Sequence, residues 1–250
     1  MFNQIDLFTS ALGLQNPWKV MDVTFDTIES RLYIYITRIK GSKVNCPVCG
    51  KECAVHDSKK RTWRHLNFFQ YKAFIHCKIP RCNCVEHGVK QVTVPWTREG
   101  SGFTLLFEAF VMTLVRNMPV NAVAKMIGVY SDRLWRIIDH YVAVAYESID
   151  FSSITNIGID KTSSKRGHNY ITIFVDLGES KVLFATEEKG ASTIKSFKSA
   201  LEKHDGAVSS IKNISCDMSP TFISGAKTNF PSMVYLVCAN LKFNSPIAFA

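Results

Sequence analysis

Acidic residues are scarce in this 250-residue chain, and they run out early. Asp and Glu total 21 against 30 Lys and Arg, a formal net charge of +9, and neither acid occurs after Asp217. Such a balance favours polyanionic partners, because neutralising phosphates releases condensed counterions. Long apolar runs are missing as well. The most apolar window, Phe103 to Val115, is too short to span a bilayer and holds Glu108, so it reads as a core helix and no membrane is expected. The opening stretch, Met1 to Leu14, has no basic cluster ahead of an apolar block and no small-residue cleavage site, which argues against secretion. Internal repeats and low-complexity segments are also lacking. With 46% hydrophobic and 20% charged residues, the expectation is a soluble, cytoplasmic protein of two or three small domains.

The basic excess is concentrated. From Arg38 to Arg81 the cations include Lys59, Lys60, Arg61 and Arg64, opposed only by Glu52 and Asp57. Trp63, Phe68, Phe69 and Tyr71 lie among them, a mixture that suits a nucleic-acid surface better than a merely solvated basic face. Six of the eight cysteines fall between Cys46 and Cys84 with histidines interleaved. In a reducing compartment that clustering points to a metal before it points to crosslinks.

The fold class expected is α+β and multidomain. Residues 1–100 read as a β-hairpin and zinc-knuckle domain, 101–150 as a helix-turn-helix segment, and 151–250 as an incomplete α/β domain. Leu32, Ile34 and Ile36 alternate with Tyr33, Tyr35 and Thr37, the period-two signature of a strand. From Phe103 to Glu147 the apolar spacing is helical, broken at Pro119 and Gly128. Beyond Ile154, strands are expected at Ile157–Ile159, Tyr170–Asp176 and Val182–Thr186. A helix over Thr193–Lys203 and a strand at Ile211–Cys216 follow.

Cys46-Pro-Val-Cys49-Gly50 is a metal-knuckle pattern, since two thiolates two residues apart reach one ion while the glycine turns the backbone beneath it. Cys84-Val-Glu-His87-Gly88 repeats the spacing and completes a candidate tetrahedron of Cys46, Cys49, Cys84 and His87 around a structural zinc. Cys53, His56, Cys77 and Cys82 are alternative donors. Further on, Val120, Val123, Ala124 and Ile127 share one helical face, and Gly128 supplies a tight exit. Ser131 is placed to cap the next helix, whose inward face would be Leu134, Ile137, Ile138 and Tyr141. That leaves Arg133, Trp135 and Arg136 outside, where a recognition helix meets DNA. An ordinary helical hairpin fits the same spacing.

Two aspartates follow strands: Asp160 after Ile157-Gly-Ile, and Asp217 after Cys216. Carboxylates at adjacent strand ends can share Mg²⁺ or Mn²⁺ and direct phosphodiester chemistry, although aspartates are also common as turn residues there. At this point the chain resembles a known family. Cys46-Pro-Val-Cys49-Gly50, Thr62-Trp-Arg-His65-Leu66, Cys84-Val-Glu-His87-Gly88 and Val94-Pro-Trp96 look like the zinc-finger half of the ISL-three group of insertion-sequence transposases. Gly158-Ile-Asp160, Val175-Asp176-Leu177 and Cys216-Asp217-Met218-Ser219 look like its DDE domain.

The resemblance implies an RNase H-like fold and divalent-metal catalysis at Asp160 and Asp217. It also implies binding of double-stranded DNA at terminal inverted repeats and self-association. Departures accompany it. Lys161 stands where the family usually has an acid, and neither the family's Asp-x-x-His motif nor its later catalytic glutamate follows Asp217. The expectation is therefore a transposase with its catalytic domain cut short, truncated or frameshifted and inactive alone. The alternative is a zinc-dependent DNA-binding regulator. A nuclease using Asp176 or Glu187 as a third metal ligand is a further reading.

Overall fold

Alternating apolar residues at 32, 34 and 36 need a covered face, and the hairpin they build is the start of the first sheet. In the computed structural model, which describes residues 3–163, 170–187, 191–216, 220–231 and 234–237, β1 (Trp18–Asp26) pairs antiparallel with β2 (Arg31–Arg38). Leu32, Ile34 and Ile36 are all buried, as their periodicity requires. The chain falls into two compact units, Met1–Gly128 and Val129–Ala250.

The first unit begins with α1 (Gln4–Ala11) and contains a six-stranded sheet of order β1-β2-β5-β4-β3, with β6 on the far end of β5. Its long strands, β4 (Glu52–Arg64) and β5 (Lys72–Cys84), run antiparallel to each other, while β2 and β5 run parallel. These two strands carry the cysteine-rich segment, where the sequence reading assigned no strands. In β4 only Trp63 and Arg64 are buried, so a half-exposed strand never declares its alternation. On β5 the alternation is plain: Ala73, Ile75, Cys77 and Ile79 line one face. There they meet Phe8, Trp18, Trp63, Val94 and Trp96, with Trp96 edge-on to both Trp18 and Trp63 at 5.2 and 5.7 Å. The Val94-Pro-Trp96 motif is thus part of the core.

Short strands β3 (Val44–Asn45) and β6 (Gly88–Gln91) fold back on β4 and β5. Two helices complete the unit, α2 (Leu105–Val115) and α3 (Val120–Ile127). Thr104 caps α2 by accepting a hydrogen bond from Phe107 N at 3.3 Å. Phe103–Val115 was expected to be a core helix, but Leu105, Leu106 and Phe110 are exposed; within the helix itself only Phe107, Glu108 and Val111 are buried.

The second unit opens with α4 (Ser131–Glu147). Ser131 is its first helical residue rather than its cap. Tyr130 holds the cap position and offers no side-chain hydrogen bond, since a phenol cannot reach back to the first turn. A five-stranded sheet of order β11-β10-β7-β8-β9 follows. β7 (Asn156–Ser163), β8 (Tyr170–Asp176) and β9 (Lys181–Thr186) form an antiparallel meander, while β10 (Asn213–Cys216) and β11 (Val234–Val237) add parallel to β7. Helices α5 (Ala191–Lys203) and α6 (Pro220–Asn229) supply the crossover segments. Ile194, Phe197, Leu201, Phe222 and Ala226 from these helices meet Ile157, Ile159, Phe174 and Ile214 of the sheet in one core.

Candidate metal centre and nucleic-acid interface

Two local hairpins create the metal centre. Gly50 takes a positive φ of 70° after Cys49, Gly88 one of 66° after His87, and each lets the chain double back under its donor pair. Gly50 N donates to Cys46 O at 2.9 Å and Cys46 N to Lys51 O at 2.9 Å, closing the first knuckle. The second is closed by β5 and β6, where Cys84 pairs with Gly88. Because β3, β4, β5 and β6 are neighbours, the two knuckles face each other. The donor atoms of Cys46, Cys49, Cys84 and His87 all lie within 4.8 Å of one another.

Their spacing is that of tetrahedral edges. Cys49 Sγ is 3.8 Å from Cys84 Sγ, Cys46 Sγ is 3.8 Å from His87 Nδ1, and Cys84 Sγ is 3.6 Å from His87 Nδ1. With metal–sulfur bonds of ~2.3 Å and metal–nitrogen bonds of ~2.05 Å, a tetrahedral zinc site has edges of about 3.8 and 3.6 Å. The His87 imidazole beside it pulls the Cys84 thiol down to about 6, toward the thiolate a metal needs. None of the alternative donors belongs to this four-atom group, although Cys53 and Cys82 pack beside it. Burial drives Cys77 up to about 12 within the sheet core and Cys53 to about 11. Cys82 is fully buried against the knuckles, and His56 is exposed on β4.

The basic residues do not form a single patch. Side chains alternate along a strand, so Lys59 and Arg61, opposite Ile79 and Cys77, face one side, while Lys60, opposite Lys78, faces the other. All three are exposed. Arg61 lines a cleft of about 520 Å³ that also includes Pro47 and Val48 of the first knuckle, Trp63, Lys90 and Arg98. Arg64 departs from the expected surface role. It is buried, donates to Ala73 O at 3.1 Å and also to His65 O and Asn67 Oδ1, and lies over the Phe74 and Phe107 rings at 5.3 and 5.4 Å. A guanidinium tied on every side to its own fold is a structural post, and burial lowers its pKa to about 10.

The two helices of the expected helix-turn-helix fall in different units, and each keeps its own apolar face. Val123 and Ala124 are buried on α3, and Gly128 ends the helix at φ 67°. On α4, Leu134 and Ile137 are buried with Ile138 and Tyr141 partly so, and Arg133, Trp135 and Arg136 are exposed.

In the second sheet, Asp160 lies in β7 opposite Ile173 and is half-buried, its Oδ1 accepting from Lys161 N at 2.8 Å. Ile157 and Ile159 point into the α5–α6 core, so Asp160 alternates to the opposite face. Lys161 points back to the core side, 5.2 Å from the Phe222 ring. Asp217 lies outside the described residues, one position beyond β10, whose Cys216 pairs with Ile159. Asp176, a suggested third ligand, sits opposite Ile157 and accepts from Gly178 N at 2.9 Å. Three residues of strand, about 10 Å, separate that position from Asp160. Glu187 follows β9, which β8 separates from β7.

A four-donor metal ribbon, a helix-turn-helix pattern and an acid-bearing mixed sheet follow one another along the chain. Three family models match in the same order: the zinc-finger of transposases IS204/IS1001/IS1096/IS1165 over residues 42–87, the helix-turn-helix domain of transposase family ISL3 over 92–142, and the ISL3 DDE transposase domain over 157–237. The chain belongs to the ISL3 family of insertion-sequence transposases. It is 27% identical over 224 residues to the transposase for insertion sequence element IS1557 of Mycobacterium tuberculosis, covering 85% of this chain and 49% of that protein. The transposase for IS1001 of Bordetella parapertussis is 24% identical over 179 residues, covering 71% and 44% respectively. The chain thus spans about half the length of the curated relatives it matches.

Proposed function

We propose that this chain binds the terminal inverted repeats of an insertion sequence as double-stranded DNA, and that it carries the opening part of a divalent-metal centre for cutting and joining them. The ordered run of three transposase family matches, each lying on elements of the corresponding kind, is the observation that carries this reading. The ion at Cys46, Cys49, Cys84 and His87 is zinc, and it is structural, because four protein donors leave no open position. Arg133, Trp135 and Arg136 meet bases and phosphates from the start of α4, while Lys59, Lys60 and Arg61 add phosphate contacts. The domain division proposed is a zinc ribbon, a helix-turn-helix and an RNase H-like sheet, and the order of the family matches supports it. The RNase H-like assignment is supported by a three-stranded meander extended by two parallel strands. Such proteins act as paired subunits on chromosomal DNA, and self-association is expected here too.

Asp160 and Asp217 are the acids proposed to hold Mg²⁺ or Mn²⁺. An ion held there would supply activation of a water or a sugar hydroxyl and charge stabilisation at the leaving oxygen. Asp160 already lies half-buried on strand β7, held by its bond from Lys161 N. Lys161, beside Asp160 where the family usually carries an acid, favours a second reading in which the chain occupies DNA without cutting it, as a regulator would. Fluorescence anisotropy with a duplex from the element's end tests the binding. Arg133→Ala and Arg136→Ala should each weaken it and lower the salt slope by about 1. A zinc-loaded chain that ignores the duplex overturns the proposal. Nicking in Mg²⁺ or Mn²⁺ that Asp160→Ala abolishes would reject the second reading.

A further inference from the structure

The first sheet has two faces; the main core covers one, and on the other only the Phe74 end is overlaid, by the Arg64 guanidinium at 5.3 Å. Leu32, Ile34, Ile75 and Cys77 point inward, so Tyr33 and Tyr35 of β2 and Phe74 and His76 of β5 point to the other side. These four rings are half-buried and form a continuous group. Tyr35 and His76 stack at 5.1 Å with planes 21° apart, Tyr33 is 5.5 Å from His76, and Tyr33 is 6.0 Å from Phe74.

Cations flank the rings. Lys60 of β4 and Lys78 of β5 are cross-strand partners on this face, both exposed, and Thr62 beside them bonds His76 Nδ1 at 2.8 Å. At the other end of the ring group, the Arg31 guanidinium lies 6.0 Å from the Phe74 ring centroid. His76 Nε2 is shielded from water and finds no partner. The acids near this face are Asp22 and Asp26 on the edge strand β1 and Glu29, which pairs with Arg31 at 3.4 Å; all lie away from the two lysines.

From this we infer that the outer face of the sheet is a stacking platform for single-stranded DNA. Aromatic rings spread over adjacent strands offer π-faces, and any unpaired base can lie on them whatever its sequence. A duplex keeps its base faces inside its own stack, so the rings gain nothing from it. The lysine pair supplies the complementary charge for a backbone running along β5 and β4. The choice of DNA rests on the function proposed above. The platform adds a second class of ligand to it, the unpaired strand.

The test uses the zinc-loaded full chain and two probes, a labelled oligo(dT) of about 15 nucleotides, near the ~4–16 nucleotide range of known stacking platforms, and a duplex of equal length. The combined Tyr33→Leu and Tyr35→Leu variant should bind oligo(dT) at least about fivefold more weakly while duplex affinity holds. Tyr35→Phe keeps a ring and should retain oligo(dT) binding. Unchanged metal content and melting temperature certify the fold of each variant. Should the leucine variant misfold, Lys78→Glu, exposed on the same face and outside the proposed duplex contacts, must weaken oligo(dT) binding instead. Oligo(dT) affinity indifferent to these changes, or lost in step with duplex affinity, overturns the platform. Duplex binding without oligo(dT) binding by the wild type removes the platform alone. Oligo(dT) binding without duplex binding removes the inverted-repeat reading and leaves the platform standing.

Discussion

The two units are held together by different means. The second has a core of phenylalanines: Phe151, Phe174, Phe197, Phe222 and Phe230 are all fully buried, and Phe174 stacks on Phe197 at 4.2 Å. The first has a tryptophan-lined core on one face of its sheet, but its ribbon end offers only Val44, Cys46, Cys82 and Cys84 as a buried cluster. Elsewhere it relies on buried polar ties: Arg64 on its three acceptors, Glu108 beneath Arg98, and His65 on Thr104. Apolar packing is distributed, so any one side chain is a fraction of it. A metal or a buried ion pair concentrates stability in a few atoms, and losing one partner leaves the other stranded.

That contrast predicts unequal fragility. The largest effect should come from the metal. Ion binding in small structural zinc sites is worth on the order of 10 kcal/mol, and the ribbon end has little else. Chelation, or Cys49→Ser, should unfold β3 and β6 with the tips of β4 and β5 while α5 and the phenylalanine core stay protected, as read by hydrogen exchange. Equal loss of protection in both units would break the comparison. Next in size is Arg98→Ala. Its guanidinium lies 3.0 Å from Oε2 of Glu108, a carboxylate with no exposed surface that also accepts from Ser101 Oγ at 2.6 Å. Removing the cation should cost about 3 kcal/mol, seen as a lower urea midpoint with an unchanged slope. A cost below about 1 kcal/mol would place the pair among surface ion pairs instead.

The same contrast governs what could be read from sequence. The metal centre was legible because each knuckle is local: the donors within a pair are two residues apart, and the glycine that turns the chain follows at once. The strands of the second sheet were legible because Ile157, Ile159, Phe174 and Ile214 face a large core that demands periodic apolar residues. Strand β4 was not, since it is mostly exposed and its lysines and arginines mask the alternation. Arg64 was misread for the same reason. A basic run looks uniform in one dimension, yet the pleat sends Lys60 one way and Lys59 the other, and the burial of Arg64 depends on Phe74 and on Phe107, a residue 43 positions further along the chain. Likewise Glu108 signalled an interruption of an apolar helix, but nothing local named Arg98 as its partner.

The smallest effect tests the polar ties through protons. His65 is held at about 4, first by burial and then by the charge of Arg64, against an ordinary value of 6.5; its Nδ1 lies 2.8 Å from Thr104 Oγ1. A histidine whose folded pKa is depressed resists protonation in the native state, whereas the unfolded chain takes up the proton freely. Between about pH 6.5 and 4 the unfolded state therefore binds more protons, and stability falls as pH falls through that window. From pH 7.5 to 5.5 this one group should remove about 1.3 kcal/mol. His65→Gln abolishes that contribution while leaving the metal centre's own proton dependence in place. The difference between wild type and variant in their urea midpoints across the two pH values then isolates it. Equal pH responses would mean that His65 is solvated in both states, and that the first unit leans less on buried polar groups than its geometry indicates.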